Sequence, residues 1–213
     1  AGNAGYVTGA DISETLLNLA RSKYSKIDNL EFNLCDVQNH KFQSDRFDKI
    51  ISRFGVMFFD DPVAAFTNIR PSLKAEGSLN FVCWTEIMQN EFMIDGTEFI
   101  TKHTQKNLPQ VTREPGPFAF SEKSYVEEIL TASGFKNIKI DTVHTTISTK
   151  DSLQEAAHIL MNIGPRAKML SGANLSDKTL LQIESELAEL CKRRQTGDEI
   201  THKACLNYVS AIK

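Results

Sequence analysis

Acidic side chains follow two successive strands predicted near the start of the sequence. A β-branched and aromatic run from Tyr6 to Ile12 has Asp11 at its carboxyl end, and the alternating run from Leu30 to Leu34 is followed by Asp36. A carboxylate at such a position can accept hydrogen bonds from both hydroxyls of a ribose, and a second can accept one from the exocyclic amine of adenine. The pattern favours a nucleoside cofactor site. The alternative is that Asp11 only caps the next helix and Asp36 only closes a turn.

A third predicted strand, Phe47 to Ser52, adds polar groups at the same edge of the sheet. It ends at Ser52 and Arg53. In an open parallel sheet, ligands bind beyond the carboxyl ends of the strands, so both residues are further site candidates. For Arg53, an ion pair with a nearby acid is the structural alternative.

Helices alternate with these strands. Ser13 is a predicted N-cap followed by an apolar stripe, and Asp61-Pro62 opens a second helix that is predicted to end at Gly77. Leu79 to Trp84 is the fourth predicted strand. The alternation predicts right-handed βαβ crossovers and a doubly wound α/β fold, with a mostly parallel sheet and helices on both faces.

The pattern changes beyond Trp84. A helix is predicted from Glu91 to Thr101, an irregular loop from Asn107 to Phe120, and a helix capped by Ser121 that closes at Ser133-Gly134. Two antiparallel strands follow, Lys136 to Ile147 and Ala204 to Ile212. Residues 148–203 are then a helical insertion in a single domain spanning residues 1–213, with helices from about Ser152 to Leu170, broken at Gly164-Pro165, and from Ser176 to Arg194.

Composition excludes several classes of protein. The 213 residues are 41% hydrophobic and carry a formal charge of −3, so there is no broad basic field for nucleic acid or for an acidic membrane surface. The four cysteines form no C-x-x-C pair, which argues against a metal site or a disulfide scaffold. No apolar run approaches the length of a membrane span and no signal peptide is evident, so a cytoplasmic protein is expected.

An ordered series of motifs resembles the class I S-adenosylmethionine-dependent methyltransferases. The matching segments are Gly5-Tyr6-Val7-Thr8-Gly9-Ala10-Asp11-Ile12-Ser13, Phe32-Asn33-Leu34-Cys35-Asp36-Val37, Phe47 to Phe59, and Leu73 to Leu79. The likeness covers residues 5 to about 84 well and Phe120 to Val143 in outline. It implies that S-adenosylmethionine is the cofactor and that six residues bind it: Asp11 at the ribose diol, Ile12 on the adenine face, Asp36 and Val37 at the adenine edge, and Ser52 and Arg53 near the methionine part.

One departure from the family concerns its first strand and the glycine-rich turn after it. Neither precedes Gly5, and Gly2 and Gly5 lie where the family has only a connecting turn. Without a central strand, its neighbours would expose unpaired backbone edges inside the sheet. We therefore expect either that the sequence is incomplete at its N-terminus, which we favour, or that a partner supplies the strand.

The acceptor side is less defined. Methyl transfer is an in-line displacement that depends mainly on alignment and on exclusion of water, so no base is required and no catalytic residue is assigned. His103, Glu91 and Tyr125 lie where acceptor-side residues would fall, although a histidine in a polar stretch is more often solvated. The abundance of phenylalanine favours a small apolar or aromatic acceptor, and the insertion either caps that pocket or pairs two subunits.

The sequence is compatible with three functions. The first is a methyltransferase acting on a small molecule. The second is a nicotinamide-dependent oxidoreductase, weakened by the lack of a G-x-G-x-x-G motif. The third is a non-catalytic methyltransferase-like interaction domain that has lost the cofactor.

Overall fold

The computed structural model describes residues 1–213, and its strands and helices alternate through the N-terminal half as predicted. The strands are β1 (Val7–Asp11), β2 (Leu30–Leu34), β3 (Phe47–Arg53), β4 (Leu73–Trp84), β5 (Lys136–Thr149), β6 (Gln195–Thr196) and β7 (Glu199–Ile212). The helices are α1 (Glu14–Lys23), α2 (Pro62–Ile69), α3 (Glu91–Ile94), α4 (Thr97–Thr104), α5 (Lys123–Ala132), α6 (Leu153–Asn162), α7 (Gly164–Leu170) and α8 (Asp177–Arg194).

The strands form two hydrogen-bonded groups. β1 pairs in parallel with β2, with Asp11 opposite Leu34. The second group has the order β3-β4-β7-β5, in which β3 and β4 are parallel, β7 is antiparallel to both of its neighbours, and β6 adds to β7. The prediction of an α/β fold with a mostly parallel sheet and an antiparallel last strand is confirmed.

The two groups of strands point in the same direction. Arg46, directly before β3, donates to Glu31 at the start of β2 over 3.1 Å, and its guanidinium lies 6.0 Å from the ring centroid of Tyr6 before β1. At the other end, Gln38 beyond β2 accepts a 3.0 Å hydrogen bond from the N–H of Asp61 beyond β3. The carboxyl ends of β1, β2 and β3 therefore lie on one side of the molecule.

One edge of β1 and one edge of β3 have no strand partner, because β1 pairs only with β2 and β3 pairs only with β4. Apolar side chains are exposed on these two strands: Val7 is 41% exposed and Ile51 is 76% exposed. The sheet is thus divided between β1 and β3, where a further strand is expected.

The main core lies on one face of the five-stranded group. Phe66 and Ile69 of α2, together with Ile129 and Leu130 of α5, pack over Phe81 of β4. Phe66 is fully buried, and its ring centroid lies 5.8 Å from that of Phe81. This packing fixes the positions of β3 and β4 and of the residues that follow them.

Helices α6, α7 and α8 lie in sequence between β5 and β7 and form their own small cores. Ser152 begins α6 with a capping box, in which its side chain accepts from the N–H of Glu155 and the Glu155 carboxylate accepts from the N–H of Ser152. Ile183 and Leu187 of α8 are fully buried against Ile100 of α4. None of the helices combines the length and apolar character needed to cross a lipid bilayer.

Several predicted boundaries are wrong. α2 ends at Ile69 and not at Gly77, because Pro71 lacks the N–H that would continue the helix, and β4 already begins at Leu73. The helix predicted from Glu91 is split before Thr97 by Gly96, whose φ of +79° is left-handed. The N-cap of α5 is Glu122 in place of Ser121.

Candidate functional site

Asp11 is half-buried at the carboxyl end of β1. Its Oδ1 accepts a 2.8 Å hydrogen bond from the N–H of Ser13, whose own side chain caps α1 by accepting from the N–H of Leu16. Its Oδ2 accepts no hydrogen bond from the protein, so the turn uses only half of the carboxylate. The side chain of the next residue, Ile12, is 73% exposed and offers an apolar surface beside that free oxygen.

Asp36 closes a tight turn after β2. Its Oδ1 accepts from the N–H of Gln38 over 2.9 Å, and its Oδ2 accepts from the Asn39 side chain over 2.6 Å. Asp36 therefore forms the turn contacts expected of the simpler alternative, although each carboxylate oxygen keeps a further lone pair. The backbone N–H of the half-buried Val37 has no protein acceptor and remains available to a ligand.

A backbone hydrogen bond places Asp11 and Asp36 at adjacent strand ends. The N–H of Cys35 donates to the Asp11 carbonyl over 3.0 Å, which continues the β1–β2 pairing by one step. Asn68 of α2 holds the following turn, donating to the carbonyls of Val37 (3.0 Å) and His40 (2.8 Å). The structure thus brings Asp11, Ile12, Asp36 and Val37 together on rigid elements.

Ser52 and Arg53 lie at the end of β3, in the other group of strands. Ser52 is half-buried. The Arg53 side chain is exposed and forms no ion pair or hydrogen bond, so the alternative of an ion pair with a nearby acid is not observed. Phe54 has a φ of +60°, an uncommon conformation for a bulky residue and one often found at functional sites. This turn brings the Phe54 ring onto Trp84, with centroids 4.5 Å apart.

The aromatic residues beyond β3 and β4 form a stack. Trp84 is only 6% exposed and packs between Phe54 and Phe92, and Phe92 meets the ring of His202 edge to face. The stack is a layer of packed aromatic rings beyond the carboxyl ends of β3 and β4. Trp84 and Phe92 therefore contribute packing.

The residues considered for the acceptor side have protein partners. Glu91 bonds Arg194 over 2.9 Å and accepts from the N–H of Lys203. Tyr125 lies under the guanidinium of Arg113, at 4.3 Å. His103 is half-buried and faces Glu186 of α8 across 4.0 Å, so it is not the solvated residue that its polar sequence suggested.

A charged cluster that was not predicted from the sequence joins the insertion to α3. Asp95 accepts from Arg194 and from His202 Nδ1, each over 2.9 Å, and the fully buried Arg166 donates to the carbonyls of Phe92 and Asp95. Burial raises the pKa of Asp95, but the hydrogen bonds from His202 and Arg194 outweigh burial and lower it overall. Burial lowers the pKa of Arg166 to about 10. No spacing in the sequence signals this cluster, because its members come from four different elements.

The uncovered face of β3 and β4 carries a shallow depression of about 280 Å³. It lies beside Ser52 but away from Asp11, and its walls are Lys49, Ile51, Ser52, Asn80, Phe81, Val82 and Tyr208. Open parallel sheets normally have both faces covered. We therefore assign this depression to the incomplete covering of the sheet and not to a substrate site.

Comparisons with known proteins agree with this geometry. Residues 1–81 match a family model described as a methyltransferase domain. The chain is similar to a demethylmenaquinone methyltransferase of Staphylococcus saprophyticus, with 24% identity over 152 aligned positions that cover 65% of this chain and 63% of that protein. The match therefore spans less than two thirds of the relative's length.

Two solved structures share the fold. The YcgJ protein of Bacillus subtilis is 17% identical, with a TM-score of 0.57 over 98% of this chain and 82% of that one. A phosphoethanolamine N-methyltransferase of Haemonchus contortus, solved with phosphomonomethylethanolamine and S-adenosylhomocysteine, is 19% identical, with a TM-score of 0.50 over 97% of this chain and 43% of that one. The motif series and the strand arrangement agree with the family model, in which residues 1–81 are similar to a methyltransferase domain.

Proposed function

We propose that this chain is an S-adenosylmethionine-dependent methyltransferase that acts on a small-molecule acceptor. The observation that carries the proposal is the pair of adjacent strand ends at which Asp11 keeps one carboxylate oxygen free and Val37 keeps its N–H free. A nucleoside presents matching groups, because its ribose diol donates to a carboxylate and its adenine ring nitrogen accepts from a backbone N–H.

Each residue has a stated role in this proposal. Asp11 accepts from the ribose hydroxyls, Ile12 covers one face of the adenine, and Val37 and Asp36 bind its edge. Ser52 and Arg53 lie near the methionine portion, where the free guanidinium of Arg53 suits a carboxylate. S-adenosylmethionine bound there would supply a sulfonium methyl group for transfer to a lone pair of the acceptor.

The protein's part in catalysis is alignment and exclusion of water. The turn at Phe54 and the stack on Trp84 give the carboxyl end of β3 a rigid apolar wall. Such a wall suits a small apolar or aromatic acceptor. The net charge of −3 gives no support for a nucleic-acid acceptor.

We also propose that one further parallel strand lies between β1 and β3 and completes the domain. The proposal is supported by the free edges of these two strands, their common direction and the exposed Val7 and Ile51. A strand in that position would end beside Asp11 and Ser52 and would join the two halves of the cofactor site.

Calorimetric titration with S-adenosylhomocysteine tests the cofactor site. The titration uses the chain of 213 residues and the same chain extended to the start of its reading frame, with NADH as the alternative ligand. We expect Asp11→Ala to weaken binding tenfold or more, which corresponds to at least about 1.4 kcal/mol. Asp28→Ala is the matched control, because Asp28 is exposed and lies outside the site.

The outcomes distinguish the three functions. Binding of S-adenosylhomocysteine that depends on Asp11 supports the methyltransferase, and preferential binding of NADH supports the oxidoreductase. If neither nucleotide binds to the folded, extended chain, an interaction domain remains. Amide hydrogen exchange tests the added strand separately: amides of β1 and β3 that exchange quickly in residues 1–213 should become protected in the extended chain, and equal exchange in both would contradict the strand.

A further inference from the structure

The free edge of β5 is another exposed strand edge, and it lies at the opposite end of the five-stranded sheet from β3. β5 pairs only with β7, along its full length from Lys136 to Thr149. Most of its residues are exposed. A long strand edge of this kind is a template for pairing with another chain unless it is protected.

Only the first half of β5 carries such protection. The pairing with β7 is irregular between Lys136 and Lys139, where Asn137 has a φ of +50°. Lys123 of α5 then donates to the carbonyl of Ile140 over 3.4 Å. From residue 142 to residue 149 there is no proline, no glycine and no formally charged side chain. The second half of the edge is therefore open.

The hydrogen bonds of β7 show which backbone groups of β5 point outward. The N–H of Lys203 donates to Glu91 and the N–H of Cys205 donates to Asn90, so both point away from β5. The backbone N–H and carbonyl groups of successive residues point to opposite sides of a strand. The N–H and carbonyl of Ala204 therefore point toward β5.

The same alternation applies on β5. Thr145 lies opposite Ala204 and therefore directs its N–H and carbonyl to β7. The outward groups of the open half belong to the even-numbered residues: Thr142, His144, Thr146 and Ser148. The contact of Lys123 with the carbonyl of Ile140, another even-numbered residue, agrees with this assignment.

We propose that residues 142–148 of β5 pair antiparallel with the same segment of a second copy of this chain, with Thr145 on the two-fold axis. His144 then faces Thr146 of the second copy and Thr142 faces Ser148, and each such pair exchanges two backbone hydrogen bonds. Val143, which is 42% exposed, meets Ile147 of the second copy on one face of the joined sheet.

The segment itself favours a second copy as its partner. It is uncharged, so antiparallel self-pairing brings no like charges together, and Asp141 at one end comes beside Lys150 of the second copy at the other. A single strand edge buries less surface than a stable dimer needs, so we expect dissociation in the micromolar range or weaker. The contact uses β5 and not the helical insertion, and it does not depend on the proposed reaction.

Sedimentation velocity over a concentration series tests this pairing. The wild-type chain should form dimers as concentration rises, and Thr146→Pro should remain monomeric, because proline removes an outward N–H without breaking the bonds to β7. Val143→Lys, which places a cation in each apolar pair, should also be monomeric. Ile51→Lys, at the free edge of β3, is the matched control and should still form dimers.

Circular dichroism and the urea midpoint establish that each variant is folded. Dimers that disappear in Thr146→Pro and Val143→Lys but persist in Ile51→Lys support the pairing. A wild-type chain that stays monomeric at every concentration, or a dimer lost only in Ile51→Lys, overturns it.

Discussion

Replacement of Asp95 by asparagine is expected to lower the free energy of unfolding by about 2 to 3 kcal/mol at pH 7. The Asp95 side chain is 13% exposed and bonds His202, which is 5% exposed, and Arg194, which is 31% exposed. Loss of one partner from a fully buried ion pair costs about 3 to 5 kcal/mol, and loss of a surface pair costs about 0 to 1 kcal/mol. The mixed exposure of this cluster gives the intermediate value. In a chain of this length it corresponds to a fall of about 4 to 12 °C in Tm.

The effect should depend on pH in a defined direction. Burial raises the pKa of Asp95, but the hydrogen bonds from His202 and Arg194 hold it below its ordinary value of 3.8. A carboxylate with a lowered folded-state pKa contributes its stabilisation above the ordinary value and loses it as the pH falls through the folded value. The difference between wild type and Asp95→Asn should therefore be full at pH 5 to 7 and shrink below about pH 4.

Urea unfolding, followed by the fluorescence of Trp84, measures this difference. Trp84 is the only tryptophan, and it stacks on Phe92 in the segment that the cluster holds. Asp198→Asn is the control, because Asp198 also bonds a cation, Lys150, but is 77% exposed; its loss should stay below about 0.5 kcal/mol. A loss below about 1 kcal/mol for Asp95→Asn, or one unchanged at pH 3.5, would refute the reasoning.

Two further substitutions test the packing and the backbone. Phe66→Ala should lower the free energy of unfolding, measured in urea, by about 3 to 5 kcal/mol, because Phe66 is fully buried against Phe81. Phe58→Ala, at a position that is 54% exposed, should lower it by less than about 1 kcal/mol. Similar losses for both variants would contradict the core assignment. Gln105→Gly should raise the free energy of unfolding by about 0.5 to 1 kcal/mol, because Gln105 ends α4 at a φ of +56° that glycine adopts without strain. Gln105→Ala should not raise it, and an equal increase with alanine would count against this explanation.

Local signals in the sequence predicted most of the N-terminal elements. Ser13 and Asp61-Pro62 begin their helices as expected, since capping and the fixed φ of proline depend only on neighbouring residues. The predicted end of α2 was wrong because the apolar spacing continues through Leu73, where the chain has already entered β4. Periodicity alone does not distinguish a continued helix from a buried strand.

The proposed cofactor site could be predicted from the sequence because its residues directly follow strands. Asp11 and Asp36 lie at adjacent strand ends, where the order of parallel strands predicts them, and both also make the turn contacts of the simpler alternative. The free N–H of Val37 is a feature that residue types do not encode, because every non-proline residue carries the same group and only the tertiary structure decides which one lacks an acceptor.

The fold class, the order of the motifs and the position at which the sheet divides could all be predicted from the sequence. Each follows from local spacing or from the sequence order of strands and helices. The burial of Arg166, the pairing of Asp95 with His202 and the outward direction of the β5 backbone groups depend on how distant segments pack together. These features join residues far apart in the chain, and the free energy of burying a charge or exposing a strand edge depends on which elements surround it.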